Sequence, residues 1–163
     1  MKVSVEAQGR SDCEDFRLED FLPYRLSVAA EVVSRLVATR HLAKADLSMS
    51  EWRLLASVGR FGVLSPTAAG ERTAMDKVKV SRAALSLVAR GLLRQAQDPE
   101  DGRGRLLRLT RKGSASYATV APTARSIEAA LTAGLTKSEV SVLYKALNKL
   151  RDHAQSLLVD TQD

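Results

Sequence analysis

The sequence predicts a mainly α fold with a small β-wing, in which a compact basic lobe sits between two helical ends. Three observations carry this. Apolar residues recur at three- and four-residue spacing over most of the 163 residues, the period of helices that bury one face. One stretch departs from that period. Leu93 to Thr110 reads as two short strands around a turn carrying Asp98, Pro99, Gly102 and Gly104. Finally, charge is unevenly spread. Arg72 to Lys112 holds eleven Lys and Arg against four Asp and Glu, a net of +7, while the whole chain is +6. A surface so biased fits a polyanion.

Taken in order, Met1 to Leu18 is polar, acidic-leaning and aperiodic, and reads as a disordered tail over residues 1–17. Glu19 to Ala43 is predicted as the first helix, with Leu22, Leu26, Ala29, Val33, Leu36 and Val37 on one face and Pro23 in the first turn. Leu47 to Phe61 is the second, opened by the Ser48-x-x-Glu51 capping box and burying Trp52, Leu55, Ala56 and Gly59. Val63 and Leu64 supply a short strand. Ser65 to Thr73 is a short third helix, capped by Ser65 with Pro66 at its first position. Asp76 caps the fourth, Lys77 to Arg90. Its apolar stripe is Val80, Ala84, Leu87 and Val88, with Lys79, Arg82, Ser86 and Arg90 opposite, and Gly91 closes it. The strands are Leu93 to Gln97 and Arg105 to Thr110, where Leu107 breaks a strict alternation. Ser114 to Ala133 is a fifth helix, kinked or short of one bond at Pro122. Thr136-x-x-Glu139 opens the last, Lys137 to Leu158, striped by Val140, Leu143, Leu147, Leu150, Ala154 and Leu157.

Two helices joined by a tight turn and followed by a basic hairpin form a winged helix-turn-helix, here about residues 47–113. In that motif the second helix enters the DNA major groove and its N-terminal residues reach base edges. The expected DNA-binding set is Ser65, Thr67, Lys77, Lys79, Ser81 and Arg82, with Arg103 and Arg105 on the wing. Arg82 suits guanine, and Arg103 at the glycine-flanked tip suits a narrow minor groove. The terminal helices, about 19–43 and 114–158, carry more apolar surface than one small lobe needs and are assigned to dimerisation. One domain over residues 18–155 follows.

Composition narrows the alternatives. At 45% apolar and 27% charged the chain is ordinary globular material. No run approaches the ~20 apolar residues of a membrane span, and no apolar signal region opens the sequence. The single Cys13 excludes an internal disulfide and fits a reducing compartment. The expected location is the cytoplasm, without a membrane partner. No nucleophile–base pair, phosphate-binding glycine loop or metal cluster is evident, so neither an enzyme nor a cofactor is expected. His41 and His153 stand at opposite ends of the chain and make no metal constellation.

LSMSEWRLL (Leu47 to Leu55), MDKVKVSR (Met75 to Arg82), RGLL (Arg90 to Leu93) and DPEDGRGRLLRLTRKG (Asp98 to Gly113) together resemble the MarR family of bacterial transcription regulators. The D-x-R of the wing, Asp101 and Arg103, followed by L-T-x-x-G, is the most specific part. The match spans roughly Leu18 to Leu150. The resemblance implies a homodimer with intertwined terminal helices, bound to a pseudo-palindromic operator. It implies repression relieved by a small molecule, often aromatic or phenolic, held between the lobes. It also brings Asp76 close to Arg103, so that a salt bridge would orient the wing, with Asp101 beside it. The alternative is that Asp76 is only a helix cap. Some relatives sense oxidants through a cysteine in the first helix, but Cys13 lies upstream in an acidic tail, where neighbouring carboxylates make a thiol less reactive.

The pocket between lobes is expected to draw on the first, second and fifth helices, near Tyr24, Arg25, Trp52 and Arg53, with Trp52 more a core residue than a pocket wall. The sequence leaves one rival function open, a winged-helix module that uses the same surface for protein contacts without specific DNA binding. The basic fourth helix argues against it.

Overall fold

The computed structural model describes residues 16–99 and 104–160. The tail with Cys13 and the wing tip with Asp101 and Arg103 lie outside the described residues. Within them the order is α1 (Leu22–Val37), α2 (Met49–Phe61), β1 (Val63–Leu64), α3 (Pro66–Thr73), α4 (Lys77–Ala89), β2 (Leu93–Gln97), β3 (Arg105–Leu109), α5 (Arg111–Thr132) and α6 (Lys137–Asp160). The fold is mainly helical with one antiparallel sheet ordered β1-β3-β2.

The first helical run is not continuous as the periodicity predicts. A 3-10 turn at Leu18–Asp20 stops at Phe21, whose backbone is extended, and α1 starts afresh. Pro23 explains the break. Its ring clashes with the carbonyl four residues earlier, so Pro23 fits in the first turn of a helix that starts at Leu22 but not in one that runs through from Glu19. Beyond Val37 the run loosens into a π turn, Ala38–Leu42, and ends where Asp46 adopts a left-handed backbone, φ 51 and ψ 47.

Local capping sets most other starts. In α2 the Ser48 hydroxyl accepts from the Glu51 N–H (3.2 Å) and Glu51 Oε2 accepts from the Ser48 N–H (2.7 Å), which completes the capping box. The buried side of α2 differs from expectation. Leu54, Leu55, Ser57 and Val58 are buried, while Trp52, Ala56 and Gly59 are half-buried. The reason is that α2 is packed from two directions. The sheet and the α3–α4 pair cover one side, and α5 approaches the other, where the Trp52 ring stacks on Tyr117 with centroids 6.2 Å apart.

In the sheet Leu64 pairs with Leu107, and Leu93 with Leu109. Leu107 is fully buried and Leu109 half-buried on the core face. It is therefore Leu106, not Leu107, that departs from the alternation. The next helix begins three residues earlier than predicted. Thr110 ends no strand; its hydroxyl accepts from the Gly113 N–H at 3.0 Å and caps α5. The helix continues through Pro122 as one element.

The core runs from Leu42 to Val120, centred on Leu54, Leu55, Val58, Leu87, Leu93 and Leu107. Helices α1 and α6 stay outside it, whereas α5 contributes Val120. No described residue of α1 is buried, and along α6 Val140 is half-buried while the other described side chains are exposed. No helix is long and apolar enough to cross a membrane, among the residues described.

Candidate nucleic-acid interface

Helix α4 carries Lys77, Lys79, Ser81 and Arg82, half of the predicted DNA-binding residues, and its entry is fixed by Asp76. Asp76 Oδ1 accepts from the Lys79 N–H at 2.8 Å, and Oδ2 lies 3.2 Å from Lys79 Nζ. The Lys79 N–H, followed by the lysine side chain, holds the Asp76 carboxyl below its ordinary value. Asp76 is thus the N-cap. Its pairing with Arg103 lies outside the described residues.

The core face of α4 is Val80, Ala83, Ala84 and Leu87. Lys77, Lys79, Ser81 and Arg82 are exposed, as are Thr67 and Arg105. Thr67, Lys77 and Ser81 line one depression of about 540 Å3 together with Pro66, Ala84 and Gln95 of β2. Arg82 and Arg105 stand away from it. The Ser65 hydroxyl is engaged as the α3 cap, accepting from the Ala68 N–H at 3.2 Å. The periodicity of α4 also exposes Val78 and Leu85 on this surface, two residues that a search for basic and polar side chains passes over.

The other end of α4 is not the free polar face that the sequence suggests. Ser86 and Arg90 turn toward α2. The Ser86 hydroxyl donates to Glu51 Oε1, Arg90 lies 3.6 Å from Glu51 Oε2, and it also lies 3.5 Å from Asp46 Oδ2. Glu51 therefore pairs with Arg90 rather than with its neighbour Arg53. Partial burial pushes the Glu51 carboxyl up, but hydrogen bonds from Ser86 and Ser48 and the Arg90 charge outweigh it, and the net shift is downward. A carboxyl depressed on folding contributes stability above its unfolded pKa and loses it as pH falls through the folded value. Glu51→Gln keeps the capping box but loses the ion pair. It should destabilise by about 1–2 kcal/mol near neutrality. In urea titrations the gap to the parent chain should narrow as pH falls below the ordinary carboxylate range. A gap that is constant with pH would mean that the Glu51 charge contributes nothing.

Gly91 follows α4 with φ +68, and the Gly91 and Leu92 N–H groups return to Val88 and Leu87 carbonyls at 2.9 and 2.8 Å. The start of α5 is fastened onto this turn. The Thr110 hydroxyl donates to Gly91 O at 2.6 Å, and Lys112 Nζ donates to Arg90 O at 2.9 Å. Gly113 lies so close that a Cβ there would stand 1.9 Å from the Leu92 carbonyl oxygen. The L-T-x-x-G pattern is the joint between α4, the wing and the helix leading to the C-terminal end.

A second cavity, about 670 Å3 and almost wholly apolar, opens between the terminal helices. Leu26, Val33, Ile127, Leu143 and Leu147 line it together with Trp52. It draws on α1, α5 and α6, with α2 contributing Trp52. Of the four pocket residues considered from sequence, only Trp52 is on its wall, which makes Trp52 a wall residue as well as a packing one.

The sequence model described as MarR family matches residues 45–104. A probable transcriptional regulator from Pseudomonas aeruginosa is similar over 82% of this chain and 99% of its own, at 29% identity and a TM-score of 0.76. BpsR of Bordetella bronchiseptica, whose DNA binding is regulated by 6-hydroxynicotinic acid, covers 84% of this chain and 97% of its own at 24% identity and a TM-score of 0.79. A mutant MarR from E. coli complexed with operator DNA covers 79% and 92% at 24% identity and a TM-score of 0.73. The latter two attest the fold alone. Comparison with curated proteins finds no match. The family match from α2 through β2, the winged fold itself, and a probable regulator covered over nearly its whole length agree: residues 45–104 match the MarR family, and the chain is similar to transcriptional regulators of that fold.

Proposed function

We propose that this protein is a cytoplasmic homodimer that binds a pseudo-palindromic operator and acts as a ligand-responsive repressor. The observation that carries the reading is the exposed front of α4. Lys77, Lys79, Ser81 and Arg82 all face solvent there, beside Thr67, with Asp76 as the one acidic residue of the helix entry. Phosphate contacts position a protein on DNA, and side chains at the base edges specify sequence. Ser65, Thr67, Lys77, Lys79 and Arg105 are placed in the first role, Ser81 and Arg82 in the second. Arg103 is assigned to the same interface from the sequence, with Asp101 as the residue that orients it. The operator-bound relative supports this arrangement by its fold.

The exposed apolar side chains of α6, Leu150 and Leu158 among them at 40% and 63%, support the dimer, since a helix face that meets only water would carry polar residues there. The apolar cavity beside Trp52 supports an aromatic or phenolic effector, and the relative regulated by 6-hydroxynicotinic acid favours the same class.

Arg82→Ala tests the reading. A duplex selected by the parent protein from a random pool is compared with a scrambled one. Loss of the bidentate base contact should remove about 1–3 kcal/mol of discrimination between them. Equal loss on both duplexes would reassign Arg82 to a phosphate.

A further inference from the structure

The outward face of α4 is not polar at its centre. At 3.6 residues per turn each step rotates about 100°. Val78, Arg82, Leu85 and Ala89 then fall within an arc of about 60°, directly opposite the buried Val80, Ala83, Ala84 and Leu87. Val78 is 58% exposed and Leu85 67%. Among the described residues Leu85 is the most exposed large apolar side chain in the molecule. Val78 and Leu85 are also the exposed large apolar side chains of the α3–α4–strand unit; the rest lie toward the terminal helices or at Phe61. A helix face that meets only water would carry polar residues there.

Resting on the DNA-binding reading of α4, we propose that Val78 and Leu85 determine specificity by contacting thymine C5-methyl groups in the major groove, on either side of the base that Arg82 takes. The thymine methyl is the apolar group that the major-groove floor presents, and aliphatic side chains recognise it by contact. The placement fits. Val78 precedes Arg82 by one turn and Leu85 follows it by nearly one, so the three lie along one stripe. Val78 and Leu85 are separated by about 10 Å along the helix axis, roughly three base steps of one strand. Charge selects the occupant. Lys77 and Lys79 flank the stripe, and Arg82 lies within it. An apolar groove on a protein partner would have to accept these cations, whereas duplex DNA offers phosphates to the flanks and methyl groups to the middle.

The test begins with duplexes that the parent protein selects from a random-sequence pool. Thymines should flank a guanine in each half-site. Deoxyuridine then replaces one thymine at a time, which removes the methyl group and leaves pairing intact. The parent protein should lose about fourfold in affinity for each methyl it contacts. Val78→Ala and Leu85→Ala should each weaken binding to the thymine duplex and become indifferent to uridine at one position. The salt dependence should stay unchanged, because no phosphate contact is touched. Both side chains are exposed, so alanine there should leave the melting curve in place. Selection of a defined sequence followed by equal binding to thymine and uridine duplexes would overturn this assignment and leave DNA binding standing. Variants that keep the parent's affinity for the thymine duplex would also overturn it and give the apolar pair to a protein partner. Failure to enrich any sequence would defeat the DNA-binding reading itself.

Discussion

Replacing Gly113 with alanine is expected to cost about 3 kcal/mol of stability or more. The added methyl would meet the Leu92 carbonyl oxygen at 1.9 Å, well inside contact distance, and the obstacle is backbone rather than a side chain that can swing away. Two backbones must separate. The bonds that would open are those from Thr110 to the Gly91 and Leu92 carbonyls, which join α5 to the turn after α4. For a chain of this length the melting temperature should fall by roughly 6–12 °C. Gly134→Ala is the control. A Cβ at Gly134 meets nothing within 4 Å, so its melting point should stay level or rise slightly. Equal melting of the two variants would mean that the α5 joint is looser than it looks.

The second large effect concerns assembly. Leu150 and Leu157 on α6 are 40% and 53% exposed in one protomer. Glutamate at both positions therefore costs the isolated chain little. In a dimer that buries this stripe, each leucine contributes roughly 1.5–3 kcal/mol, lost twice over by symmetry. Leu150→Glu with Leu157→Glu should shift the mass in solution from twice 17.7 kDa to a single 17.7 kDa chain and lower operator affinity with it. Deletion from Lys137 onward should likewise give a monomer or an unfolded chain. A dimer that persists in both would contradict the assignment of the chain ends to dimerisation.

What was legible in the sequence is mostly what is local. The Ser48–Glu51 box, the Ser65 and Asp76 caps, the Thr136–Glu139 box and Gly91 are each settled within a few residues, and each holds. Thr110 is not legible as a cap because Leu109-Thr110 continues a strand pattern, while its capping partner is a glycine amide with no side-chain signature. The buried arc of α2 departs from the periodicity because periodicity assumes one packing surface and α2 has two. The Glu51–Arg90 pair joins residues 39 positions apart, and no local pattern encodes that. At the candidate site, charge points to α4, but a search for basic residues favours Lys79 and Arg90. The first pairs with Asp76 and the second faces α2. The centre of the outward face belongs to Val78, Arg82 and Leu85.

On the function proposed above, α4 makes this chain a sequence-specific DNA-binding protein. The most direct measurement is binding of the purified protein to the duplex upstream of its own gene, beside a random duplex, at two salt concentrations. Tight binding that weakens steeply with salt and prefers the upstream duplex is the predicted result. No binding to either duplex at low salt would contradict the claim and move the function to a protein-contact module.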